Sequence, residues 1–138
     1  MDPRLAADID AACRLSGQFE LRSGQRSNEY FDKYLFEANS ELLKRVSKAI
    51  VPLLPSDTDV LGGLELGGVP LATVVSQISG LPTLFVRKEA KQYGTGRLAE
   101  GADVAGRTVT RTHPGLWGRH NLMRRCTERS RDRYPLAR

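Results

Sequence analysis

Cysteine is scarce in this sequence. Cys13 and Cys126 are its two, far apart and without the close spacing of metal ligands. Free thiols in a reducing compartment are therefore expected. No apolar run approaches the roughly 20 residues that a membrane helix needs. The opening Met1-Asp2-Pro3-Arg4 has no apolar signal core, so a cytoplasmic location is the expectation. No Gly-Lys-Ser/Thr follows any glycine loop, which excludes a Walker phosphate loop, and the glycine spacing excludes a dinucleotide fingerprint. Two adjacent acidic residues occur nowhere, and neither does Thr-Thr-Gly.

What is present is enough for one domain with a modest core: 138 residues, 40% hydrophobic and 27% charged. The net charge of +5 would suit a nucleic-acid binder, but its distribution argues otherwise. Residues 1–110 carry 13 Lys and Arg against 14 Asp and Glu, whereas residues 111–138 carry eight against two. The basicity belongs to the last stretch alone.

Along the chain, Asp2-Pro3 reads as a cap and first helical position, with Leu5, Ile9, Ala12 and Leu15 at helical spacing and Gly17 as the stop. Phe19–Leu21 predicts a short strand, 23–25 a turn, and Tyr30–Phe36 an extended aromatic segment. Asn39-Ser40 caps a second helix whose stripe is Leu42, Leu43, Val46, Ala49, Ile50 and Leu53, ended by Pro52 and Pro55. A strand from Val60, a glycine loop, a helix over 70–79 stopped by Gly80, and a strand over 81–86 make a βαβ unit. Residues 88–101 read as a mobile polar loop and 107–110 as the start of another strand. The pattern predicts an α/β domain with a parallel sheet flanked by helices.

Two segments carry chemistry. Leu64-Glu65-Leu66-Gly67-Gly68-Val69-Pro70 lies between strand and helix, where glycines permit close approach and helix amides favour an anion. The plain alternative is an ordinary strand-to-helix turn. Arg87, Lys88 and Lys91 stand at the end of the next strand, the edge where parallel sheets bind ligands, and would suit a polyphosphate. The alternative there is a solvated charged loop.

Taken with the stretch from Phe19 to Asp32, these segments resemble the orotate phosphoribosyltransferases, a branch of the type I phosphoribosyltransferase family. The resemblance covers residues 1–110. It implies that fold, C-terminally incomplete, with a partial phosphoribosyltransferase domain over 1–110 and an unrelated, disordered, Arg-rich tail over 111–138. It implies transfer of the ribose 5-phosphate of phosphoribosyl pyrophosphate (PRPP) to orotate, giving orotidine 5′-monophosphate and pyrophosphate in pyrimidine synthesis. Mg2+ would come bound through PRPP, with no protein metal ligand. Arg87, Lys88, Lys91, Tyr93, Glu65, Gly67 and Gly68 would contact PRPP or pyrophosphate. Lys91 would be catalytic, stabilising the departing charge, and Lys88 would reach a neighbouring subunit's site in a homodimer. Arg22, Tyr30 and Phe31 would bind orotate. Arg22 stands where lysine is common and Tyr93 where many relatives have histidine. Each has a plain alternative: Tyr30 or Phe31 as core aromatics, Arg22 as a turn residue, Glu65 as an acceptor for local amides.

The family's defining motif is the departure. After Thr108-Val109-Thr110 it would continue with an acidic pair for the ribose hydroxyls and a Thr-Thr-Gly loop for the 5′-phosphate. Here Arg111-Thr112-His113-Pro114-Gly115 follows. All eight basic residues of the tail are arginine. That is the composition of a GC-rich gene read out of frame, and we hypothesise a frameshift near codon 110. Finding no acidic-pair and Thr-Thr-Gly coding segment in either other frame of the gene would refute it. Impaired activity is expected, with an inert fragment or an Arg-tail polyanion binder as the rival functions. Loss of the later helices is also expected to leave Leu61, Leu84 and Val86 without packing partners and the fold weak.

Overall fold

The computed structural model describes residues 2–112 and 123–126. Helix α1 (Leu5–Cys13) leads into a two-stranded antiparallel ribbon, β1 (Arg14–Glu20) and β2 (Arg26–Phe31). Two short-range expectations change here. The first helix stops at Cys13 rather than Gly17, because Arg14 onward pairs with β2, Leu15 opposite Tyr30. Gly17 lies inside β1, where the register shifts between Ser16 and Phe19, a usual place for glycine in a strand. Asp2 caps a turn ahead of the helix, accepting from the Arg4 amide at 3.0 Å. The extended segment ends at Phe31. The Asp32 carboxylate then accepts from the Tyr34 amide at 3.0 Å and turns the chain into α2 (Tyr34–Ala38), which buries Phe36 completely.

Helix α3 (Ser40–Ile50) begins as expected, with Asn39 Oδ1 accepting from the amides of Glu41 and Leu42, both at 3.1 Å. Its stripe of Leu42, Leu43, Val46 and Ile50 is buried; Leu53 is exposed, in the 3-10 turn Val51–Leu53 that follows. Arg45 on this helix pairs with Asp2 and Asp8 and so ties the N-terminal segment to it.

The main sheet has the order β5-β4-β3-β6-β7. Its centre, β3 (Val60–Leu64), runs parallel to both β4 (Thr83–Val86) and β6 (Val109–Thr112). Helix α4 (Val69–Ser79) makes the crossover from β3 to β4 and ends at Gly80, whose φ of 77° is the left-handed cap a glycine accepts without strain. The edges are antiparallel: β5 (Ala99–Gly101) folds back on β4, and β7 (Met123–Cys126) on β6. Part of the expected 88–101 loop is thus strand. Strand β7 lies in the stretch expected to be tail, and 113–122 and 127–138 lie outside the described residues.

Alternation along β3 divides the core. Leu61 faces the helices, in a cluster with Phe36, Leu43, Val46, Leu71 and Val75. Val60 faces the other way, with Leu84, Ala99 and Val109, and with Val86, Ala102 and Val104 packed around them. The expectation that Leu61, Leu84 and Val86 lack partners is therefore wrong. Leu61 is 0% and Leu84 8% exposed, because α4 covers one face and the β5–β6 connection the other. A buried hydroxyl pair, Thr58 with Thr110 at 2.8 Å, ties β6 to the turn before β3.

Candidate functional site

Parallel pairing places the carboxyl ends of β3, β4 and β6 along one edge of the sheet, so the segments after them meet there. After β3 comes the glycine loop 65–68, with a cis peptide between Glu65 and Leu66. It returns tightly on itself: the Gly68 amide donates to the Leu64 carbonyl at 2.8 Å and the Val69 amide to that of Leu66 at 3.0 Å. Gly68 then starts α4, with Pro70 in the first turn, where its missing N–H is harmless.

Gly68 is required by contact rather than by dihedral. A side-chain carbon there would lie 2.5 Å from the Leu64 nitrogen and 2.7 Å from the Thr112 carbonyl oxygen, both backbone. Gly63 is as restricted, with the Gly68 carbonyl 2.8 Å from where its Cβ would stand. Strand β6 closes the far side: Thr112 Oγ1 donates to the carbonyls of Gly62 (3.3 Å) and Gly68 (3.2 Å).

The loop after β4 is joined to the glycine loop directly. The Glu65 amide donates to the Val86 carbonyl at 2.8 Å, and Glu65 Oε2 accepts from the Lys88 amide at 2.9 Å. Glu65 therefore does satisfy a backbone amide, one 23 residues away on the other loop. Arg87 and Lys88 are exposed at the strand end. Backbone bonds from Arg87 to Leu98 (2.9 Å) and from Lys91 to Arg97 (3.3 Å) close the cationic loop on itself. Lys91 is mostly buried and ion-paired with Glu100 of β5. Its ammonium also lies 5.8 Å from the centre of the Tyr93 ring, which is 73% exposed.

The residues assigned to orotate stand on the ribbon. Arg22 is exposed at its tip, in the turn closed by the Leu21 and Gln25 backbones at 2.8 Å. Tyr30 and Phe31 are 42% and 39% exposed, so neither is a core aromatic in this chain; Tyr30 packs against Phe19, ring centres 5.5 Å apart. The structure thus brings together Glu65, Gly67, Gly68, Arg87 and Lys88, while Arg22 stands on a separate sheet.

Sequence reasoning missed Lys33. It sits where β2 turns into α2, and its ammonium lies against Gly67, where any side chain at that glycine would meet it. It missed Glu37 as well, one turn on. This carboxyl is 7% exposed with no hydrogen-bond partner for either oxygen among the described residues. Burial pushes its pKa up to about 7 against the opposing pull of Lys33. Neither had a local signal: one basic and one acidic residue in a short helical turn look like ordinary surface. Among the described residues no group of three His, Cys, Asp or Glu gathers to hold a metal ion, and no helix is long and apolar enough to cross a membrane.

No family model matches the sequence. An orotate phosphoribosyltransferase of Nocardioides sp. is 68% identical over 110 residues, covering 80% of this chain and 62% of that protein. Among solved structures, Mycobacterium tuberculosis H37Rv orotate phosphoribosyltransferase in complex with Fe(III) dicitrate superposes with a TM-score of 0.66 at 28% identity, over 77% of this chain and 61% of that one. The same enzyme in complex with 5-phospho-α-D-ribosyl 1-diphosphate gives 0.60 at 26% identity, over 77% and 59% of the two chains. The chain is homologous to these enzymes over the matched stretch and has their fold there, and it spans less than two thirds of their length.

Proposed function

We propose that this chain, a homologue of the orotate phosphoribosyltransferases, keeps the pyrophosphate half of their site and has lost the ribose-phosphate half. Its inherited reaction is the transfer of ribose 5-phosphate from PRPP to orotate. The reading rests on one observation: the glycine loop and the Arg87-Lys88 strand end are locked together by the bond from the Lys88 amide to Glu65.

In that reading the loop amides, Arg87 and Lys91 hold the pyrophosphate oxygens as charge builds on them, since the reaction needs charge stabilisation rather than a protein nucleophile. Lys91 exchanges Glu100 for the leaving pyrophosphate. Tyr30, Phe31 and Arg22 meet the orotate ring, and Tyr93 lies beside the departing group. Magnesium would arrive bound to PRPP, on the pyrophosphate that Arg87 and Lys91 would hold. It would neutralise the leaving charge there. The acidic pair and the Thr-Thr-Gly loop are absent from the sequence, so the sugar and the 5′-phosphate go without their holders. A homodimer, in which Lys88 serves the neighbouring site, and a cytoplasmic location belong to the same proposal.

The test is to titrate the purified chain with PRPP and magnesium and to follow orotidine 5′-monophosphate. We expect binding, and turnover roughly a thousandfold or more below that of full-length relatives. Turnover at their pace would show that the missing motif is not needed. No binding of either PRPP or pyrophosphate would leave an inert fragment.

A further inference from the structure

Lys33 has no part in the function proposed above. Its ammonium makes no ion pair among the described residues, although a buried carboxyl, Glu37, lies one helical turn away with neither oxygen bonded. It lies instead over the Tyr34 ring, 5.0 Å from the centre, and against Gly67. The lysine head fills the volume that a side chain at Gly67 would take. A partly buried ammonium without a carboxylate is poorly compensated, and an anion on the loop would complete it. The neighbouring groups suit that role: loop amides at the start of an 11-residue helix, and a flanking glycine whose contacts admit no side chain.

Resting on the function proposed above, we infer that Lys33 is a further pyrophosphate-binding cation, delivered to the glycine loop from the β2–α2 turn. Arg87 and Lys91 arrive from the end of β4; Lys33 arrives from the segment that carries Tyr30 and Phe31. One short stretch therefore contacts both the base and the leaving group, so that a shift of the ribbon is felt at both.

The experiment uses the full 138-residue chain and magnesium pyrophosphate as the probe. Calorimetric titration should show Lys33→Met weakening binding by about tenfold, with Lys33→Arg within about threefold of the parent. Arg87→Met serves as the control for the parent reading. If Arg87→Met weakens binding and Lys33→Met does not, the inference about Lys33 is wrong and the proposed site stands. If the parent chain binds no pyrophosphate, both fall. A second readout avoids variants that fail to fold: acetylation of lysines in the unaltered chain, followed by mass spectrometry. Magnesium pyrophosphate should slow modification of Lys33 several-fold and leave the exposed Lys44 and Lys48 unchanged. Equal rates at Lys33 with and without the ligand would overturn the proposal.

Discussion

The two sides of β3 differ in what they bring to the site. On the β4 side, Glu65, Gly68, Arg87 and Lys88 form a connected unit, with backbone bonds across loops far apart in sequence. On the β6 side the framework is equally sound up to Thr112, whose hydroxyl bridges the Gly62 and Gly68 carbonyls. The sequence after it then carries no acidic pair and no phosphate loop. A strand can thus pair in parallel register and bury its side chains while the sequence beyond it carries neither of those motifs. Sheet packing and, on the function proposed above, ligand binding are specified by different residues.

The sharpest way to break the contrast is at Gly68, where both sides meet. Gly68→Ala would press a methyl group into the backbones of Leu64 and Thr112, which have no rotamer to yield. We expect a loss of about 3 kcal/mol or more, with pyrophosphate binding lost at the same time. Denaturant unfolding measures it. A variant as stable as the parent would mean that the close approach of β6 to the loop does not form in solution.

The glycine loop is legible in the amino-acid sequence because its signal is local: two adjacent glycines between an apolar strand and a helix with proline in its first turn. The α3 cap at Asn39 and the stop at Gly80 are legible for the same reason. What local pattern misses is whatever depends on partners distant in sequence. Leu15 has the right spacing for α1, yet pairing with Tyr30 places it in a strand. Leu84 reads as bare if its cover is assigned to missing helices, whereas Ala99 and Val109 supply it. Lys33 reaches Gly67 across 34 positions, a contact that exists only once β2, α2 and the sheet have assembled. The roles given to Arg87, Lys88 and Lys91 follow from resemblance, and their placement at a strand end agrees with the general rule for parallel sheets.

A smaller effect separates the buried charge of α2 from both sides of the sheet. Glu37 has a pKa raised to about 7 by burial, with Asp32 adding to the rise and Lys33 opposing it. A raised carboxyl pKa means that the folded state keeps a proton which the unfolded chain has released. Stability should therefore fall as pH rises from the usual glutamate range through about 7, and then level off. Glu37→Gln should remove that slope and stabilise the chain at pH 8 by about 1–2 kcal/mol. Unfolding at a series of pH values checks it. Parallel curves for the two proteins would show that Glu37 is ionised and solvated in the fold.

The smallest expected effect on stability belongs to Gly67, the neighbour of the most restricted glycine in the loop. At Gly68 an added methyl group meets backbone; at Gly67 it meets the end of the flexible Lys33 side chain and, at 3.5 Å, the Tyr34 ring. Lysine rotamers can give way, so Gly67→Ala should change unfolding free energy by no more than about 0.5 kcal/mol. Affinity for pyrophosphate is a separate matter, because the displaced ammonium is the group assigned to it. A drop of several-fold in binding with stability unchanged would set Gly67 and Gly68 apart as ligand-placing and fold-holding glycines. If Gly67→Ala instead destabilises the chain as much as Gly68→Ala, the loop is rigid throughout, and the place of Lys33 beside it is a matter of packing alone.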